Sequence, residues 1–314
     1  MLENCEKVST RDMPRAEWLK HRRTGIGGSD AAAVIGLSPW ATPYTVYLDK
    51  LGLLPDKEEN EAMRQGRDLE EYVARRFTEE TGKKVQRCNY MIRNPRCPFA
   101  IADIDRKVVG ENAVLECKTT STLDLKQFRG VEFPERYYAQ CVHYLAVTGA
   151  ERCYLAVLVL GKEFHVFTLE RDEAEISALM KLESEFWDRV QRQDPPDITG
   201  AEADSEAVKT IWPDSGEGET VELFGMDELF KRLEIANETL ALAQQTKDEI
   251  LNTIKDGMKT AERAVCGAYT VSWKTQERRT LDVKAIRADY PDIPFDDYMK
   301  VSKSRPFKVK VGTE

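Results

Sequence analysis

The sequence predicts an α/β fold: a central mixed sheet flanked by helices, followed by a C-terminal helical and β extension. Three observations carry that reading. Over the first two thirds of the chain, segments of helical periodicity alternate with short β-rich runs. Two of those runs, 99–109 and 113–119, place Asp105 and Glu116-Cys117-Lys118 on neighbouring strands. An acidic stretch over 198–220, with Pro213 and two glycines between Ser215 and Glu219, then separates this part from a long heptad-like helix. The expected organisation is a first domain over 1–197, an acidic linker or loop over 198–220, and an extension over 221–314. At 314 residues the chain has length for a sizeable core.

The elements follow in order. A short helix is expected over 15–23, then Gly25-Ile26-Gly27-Gly28, with Ser29 or Asp30 capping an alanine-rich helix to Ile35. Pro43 precedes a helix through Tyr44 to Leu51, and Gly82 ends a long helix over 58–81. Strands are expected over 85–93, 99–109 and 113–119, then a helix from Pro134 to about Val147. Gly161-Lys162 joins two strands as a hairpin, and a helix over 172–193 stops at Asp194-Pro195-Pro196. In the extension, Met226, Leu233, Leu240 and Ile254 recur at multiples of seven beside Leu229, Ala236, Ala243 and Ile250, a coiled-coil-like seam interrupted by Lys247. A short helix over 282–288 and strands over 267–273 and 306–311 complete the reading.

Composition narrows the function. Charged residues make up 32% of the chain, and no run of about 18 apolar residues exists to span a membrane. The polar N-terminus lacks a signal-peptide core, so a cytoplasmic location is expected. A net charge of −9 disfavours a simple polyanion binder, although basic residues cluster at 20–23, 75–76 and 300–310. The seven cysteines include no CxxC pair and are odd in number, which argues for reduced thiols rather than a zinc site or disulfide framework.

Strand alternation turns Glu116 and Lys118 to one face, and Asp105, with Asp103, to one face of the preceding strand. If the strands pair, carboxylate oxygens and an ammonium converge, a donor set that suits a hard divalent cation such as Mg²⁺. The lysine would orient or activate an attacking water, or neutralise developing charge. Alone, acid-x-Lys is chance-prone. Glu70 shares a helical stripe with Gly66, Val73 and Phe77 and leans toward the apolar face, whereas Glu71 points outward. An inward carboxylate wants a cation, and a structural salt bridge is the plainer reading. Gln140, on a stripe with Tyr137, Cys141 and Tyr144, either positions a water or phosphate oxygen or bonds backbone at the core edge. The glycine cluster, Ser29 and the preceding Arg22 and Arg23 form a candidate anion site, or an ordinary capped loop.

Taken in order, Arg22-Arg23-Thr24-Gly25-Ile26-Gly27-Gly28-Ser29-Asp30, Ser38-Pro39-Trp40, Gly66-Arg67-Asp68-Leu69-Glu70, Asp103-Ile104-Asp105-Arg106, Leu115-Glu116-Cys117-Lys118 and Tyr138-Ala139-Gln140 resemble the YqaJ-type viral recombinases, relatives of phage lambda exonuclease with a restriction-endonuclease-like core. The resemblance covers about residues 14–190. It implies a Mg²⁺-dependent 5′-to-3′ exonuclease on double-stranded DNA with free ends, acting in phage or prophage recombination, with Mn²⁺ able to substitute. Asp105, Glu116 and the main-chain carbonyl of Cys117 would hold the metal. Glu70 would complete the acidic metal cluster through a water or a second metal, Lys118 would be the catalytic lysine that handles the attacking water, and Gln140 would help position the nucleophile. Arg22 and Ser29 would hold a terminal 5′-phosphate. Arg23 and Asp103 are the alternatives to Arg22 and Asp105 should the alignment slip. A single-strand annealing protein and a homo-oligomer, a trimer by kinship, are the implied partners. An endonuclease of the same fold and a non-catalytic DNA-end-binding scaffold are the competing readings. A scaffold would be expected to have lost at least one of Glu70, Asp105, Glu116 and Lys118; all four are present.

Overall fold

The computed structural model describes residues 5–56, 58–128, 131–290, 292–300, 305–307 and 309. The chain divides into two compact units, Met1–Pro213 and Asp214–Glu314.

The first unit begins with β1 (Glu6–Ser9), α1 (Arg15–Arg23), β2 (Ile26–Gly27), α2 (Gly28–Val34) and α3 (Pro43–Lys50). The helix α4 (Glu61–Thr81) is opened by Asn60, whose side chain accepts from the Met63 amide, and closed by Gly82 in a left-handed conformation. Then come β3 (Val85–Arg87), β4 (Tyr90–Arg93), β5 (Ala100–Asp103), β6 (Arg106–Val108) and β7 (Ala113–Thr120). A small hairpin, β8 (Lys126–Phe128) and β9 (Val131–Phe133), leads into α5 (Glu135–Thr148). The unit continues with β10 (Arg152–Val159), β11 (Glu163–Glu170), α6 (Glu173–Arg192) and α7 (Glu202–Ile211).

Strands β11-β10-β7-β6-β3 form a five-stranded mixed sheet in which only β7 and β10 run parallel. Strands β1-β4-β5-β2 form a second sheet, with β2 and β5 parallel. Alternation along β7 decides which side chain meets which layer. Leu115 joins Val73 and Phe77 of α4 on one face, while Val114 joins Cys141 and Leu145 of α5 on the other. Ile92, Ala100 and Ala102 of the second sheet pack into that same α5 cluster. Helix α5 is thus covered all round, and its residues from Ala139 to Thr148 are buried.

The expected α/β architecture is present, with three differences. Each run expected as one strand over 85–93 and 99–109 is two strands, because both arms of this hairpin leave one sheet and enter the other. Asp103 ends β5, and Asp105 sits in the corner before β6 rather than within a continuous strand. Such corners are where a bent strand changes sheets. The stretch 198–220 is not all loop: α7 buries Ala207 beside Phe186 and Val190, and buried Asp204 bonds Thr42 and Thr199. A helix whose polar residues dominate looks like linker in sequence, and only its small contact face reveals it. The third difference lies in the other unit.

That unit holds α8 (Asp227–Met258), the hairpin β12 (Arg263–Cys266) and β13 (Tyr269–Ser272), α9 (Val283–Asp289) and a 3-10 turn at Phe295–Tyr298. The strand expected over 267–273 is the second arm of this hairpin, whose first arm the sequence reading missed. Of the strand expected over 306–311, residues 306, 307 and 309 are described and lie in no strand, and the rest falls outside the described residues. Leu229, Leu233, Leu240, Ile250 and Ile254 of the heptad series are exposed. Among the described residues, no helix is long and apolar enough to cross a membrane, and the cysteines are free.

Candidate active site

The site grows from β7. Glu116 and Lys118 project to the α5 face, and their side chains pair at 2.6 Å. Gln140, from α5, donates to the same Glu116 oxygen at 2.7 Å and also to the Tyr144 hydroxyl at 2.9 Å. The other carboxylate oxygen, Glu116 Oε2, is buried without a hydrogen-bond partner. Asp105 reaches in from the corner, its Oδ2 accepting from the Cys117 amide at 2.7 Å. Burial pushes the Asp105 carboxyl well above the ordinary range, and the nearby charges of Glu116 and Glu70 push it further. Burial also raises Glu116, against the pull of Lys118. For Lys118, burial opposes the charge but Glu116 and Asp105 outweigh it, so its pKa is raised and the ammonium persists.

Glu70 stands across from Asp105 and does lean inward. Its carboxylate is held by the buried guanidinium of Arg106, which also donates to Glu71 at 2.9 Å and to the Asp105 carbonyl at 2.9 Å. The plainer reading of Glu70 as an ion-paired residue therefore holds, and the carboxylate nonetheless lines the same cavity as Asp105. That cavity has a volume of about 280 Å³, and its walls include Trp18, Arg22, Ser29, Glu70, Asp103 and Asp105. One space thus joins the carboxylates to the loop of the candidate anion site.

In that loop, Arg22 donates from Nη2 to Ser29 Oγ at 2.6 Å and Asp30 at 3.0 Å, with its guanidinium 5.0 Å from the Trp18 ring centroid. Asp30 also pairs with buried Lys50 at 2.6 Å. Burial opposes ionisation of Asp30, but Lys50 and Arg22 prevail and hold its pKa far below the usual value. Burial likewise opposes the Arg22 charge, and Asp30 more than restores it. Gly28 is a packing glycine: a Cβ there would lie 2.5 Å from the Tyr144 ring. Tyr144 in turn donates to the Asp103 carbonyl at 3.0 Å, which ties α5 to β5.

Glu116, Lys118 and Gln140 come together beside Asp105, and Asp105 and Glu70 share the cavity with Arg22 and Ser29. Arg23 does not line it, pairing instead with Asp49 at 3.3 Å and Asp56 at 2.6 Å. Asp103 does line it, but the Trp18 indole donates to its Oδ2 at 2.9 Å. Sequence reasoning gives no role to Arg106, Trp18 or Lys50, and it offers Asp30 only as a helix cap, whereas the cap is Gly27 and Asp30 accepts from its amide. Arg106 had a signal: it follows Asp105 and so faces the opposite layer, toward the adjacent acids Glu70 and Glu71.

The metal expectation can be tested against this donor set. Among the described residues, no group of three His, Cys, Asp or Glu side chains is placed to hold a metal ion. What remains is two carboxylates, Asp105 and Glu116, with the Cys117 carbonyl on the strand between Glu116 and Lys118. A buried carboxylate oxygen with no donor, beside a carboxyl raised first by burial and then by neighbouring carboxylates, is a site that a cation would complete. Mg²⁺ fits such a set, because it binds through one or two carboxylates and keeps several waters.

The described model of the YqaJ-like viral recombinase domain matches residues 17–151. An uncharacterized protein YqaJ of Bacillus subtilis (strain 168) is 38% identical over 302 residues, covering 95% of this chain and 93% of that one. Among solved structures, an alkaline exonuclease from Laribacter hongkongensis superposes with a TM-score of 0.45 at 20% identity, over 57% of this chain and 94% of that one. A putative exonuclease from Eubacterium rectale gives 0.42 at 10% identity, over 71% and 98%. Identity at this level, sustained through the extension as well as the site, places the chain in the YqaJ-like viral recombinase family.

Proposed function

We propose that this protein is a Mg²⁺-dependent exonuclease that degrades double-stranded DNA from its ends in the 5′-to-3′ direction during phage or prophage recombination. One observation carries the reading: a single cavity is lined by Asp105, Glu70, Arg22 and Ser29, and the charge of buried Glu116 acts on Asp105 from behind its wall. A terminal phosphate held by Arg22 and Ser29 leaves a neighbouring phosphodiester near the carboxylates.

Asp105, Glu116 and the Cys117 carbonyl would hold Mg²⁺, and Mn²⁺ would substitute. Bound there, the cation supplies Lewis-acid stabilisation of charge on the phosphoryl oxygens. Lys118, protonated as it stands, donates hydrogen bonds to the developing anion rather than abstracting a proton. Gln140 fixes the rotamer of Glu116. Arg106 holds Glu70 at the cavity wall, from where its carboxylate would reach the cation site through a water or a second metal. Arg22 offers further N–H donors beyond Nη2 to a phosphate. Membership of a recombinase family supports a single-strand annealing protein as partner and a homo-oligomer, trimeric in this proposal, as the working form.

The test is digestion of linear, 5′-phosphorylated duplex with Mg²⁺ and with EDTA, beside a covalently closed circle. Mg²⁺-dependent loss of the linear DNA alone is expected. Survival of the linear DNA sinks the nuclease reading, and equal cutting of the circle makes the protein an endonuclease.

A further inference from the structure

We propose that Trp40 is a stacking platform for a nucleobase at the DNA end, a subsite that deepens the nuclease reading and rests on it. Trp40 follows Pro39 in the loop between α2 and α3 and is 64% exposed. It is not isolated. The Arg136 guanidinium carbon lies 5.7 Å from the Trp40 ring centroid and 4.9 Å from that of Tyr137. The Tyr137 ring centroid is in turn 5.6 Å from Lys118 Nζ. A row of planar and cationic groups therefore runs from the reacting lysine outward to an open indole.

The row is anchored. Arg136 Nη2 donates to Thr120 Oγ1 at 2.8 Å and to the Thr122 carbonyl at 2.7 Å, fixing it to the end of β7, the strand that carries Glu116 and Lys118. An exposed tryptophan on this surface loses apolar burial, and its partner is a cation rather than a core side chain. Such a cation-backed indole suits a ligand that is flat, aromatic and attached to a polyanion, which describes a nucleotide. Stacking uses the π face common to all bases, so the platform tolerates any sequence.

The experiment measures metal-free binding in EDTA of full-length protein to a 5′-phosphorylated duplex, with an abasic analogue placed in turn at the first three positions of each strand. Wild-type protein is expected to lose about tenfold in affinity when one of these bases is missing. Trp40→Ala should lose about tenfold on intact DNA and no longer distinguish that abasic position, while Trp40→Phe should recover part of both. An unchanged melting temperature for Trp40→Ala separates this from misfolding. If Trp40→Ala discriminates as wild type does, or no abasic position matters, the platform is overturned and the nuclease reading stands. If wild-type protein binds no DNA, both fall together.

Discussion

Helix α5 carries two buried charge clusters one turn apart, and they are built on opposite terms. At His143, Nδ1 faces Glu183 at 2.9 Å and Nε2 faces the Ile101 carbonyl at 2.9 Å. Both partners accept, so the ring is a double donor; burial opposes its charge, and Glu183 restores it and raises the pKa. At Gln140, the helix instead meets Glu116, which keeps one buried oxygen without a donor beside the Asp105 carboxyl, raised first by burial and then by Glu116 and Glu70. Same helix and similar burial, yet one cluster is closed and the other lacks positive charge. A closed pair holds the fold; an open one is where the proposed cation would sit.

Breaking the open cluster should cost activity without costing the fold. Lys118→Ala is expected to lower the cleavage rate by about a thousandfold, with DNA binding in EDTA and the melting temperature nearly unchanged. Unaltered turnover would remove Lys118 from the mechanism. The closed cluster should behave in reverse. Glu183→Gln leaves a buried imidazolium unpaired and should destabilise by about 3–5 kcal/mol in urea unfolding, while cleavage per folded molecule stays near wild type. A loss of activity in the folded fraction would dissolve the contrast.

Smaller effects sharpen it. Mg²⁺ at a hundredfold excess over its dissociation constant should stabilise wild type by about 2.7 kcal/mol, read as a thermal shift independent of turnover. Glu116→Gln should abolish that shift, and retention would place the cation elsewhere. The pH dependence should come from the closed side. A histidine raised in the folded state contributes fully below its unfolded value of 6.5 and loses that contribution as pH rises through the folded pKa. The melting temperature should fall over that range, and His143→Gln should remove the slope.

Legibility in sequence differed from one residue to the next. Glu116 and Lys118 were readable because strand alternation is strict, and the inward lean of Glu70 because its helical stripe is regular. The partner of Glu70 was not readable: Arg106 is 36 positions away and meets it only once β6 pairs beneath α4. Asp103 and Asp105 looked equivalent by alternation. The sheet corner between them sends one to the Trp18 indole and the other to the Cys117 amide. Likewise Arg22 and Arg23 were interchangeable as letters, and helix rotation turns one to the cavity and the other to Asp49 and Asp56. The heptad series of α8 was plain, but what covers its exposed leucines is not written in periodicity.

By itself, then, the sequence determined the long helices, the alternating faces of the core strands and which chemistry-bearing residues ride on them, since periodicity and capping are local properties of the backbone. Tertiary structure alone decided which charges are neutralised and which are left wanting. Desolvation and Coulomb energies depend on distances between residues far apart in the chain, and only the packed fold sets those distances.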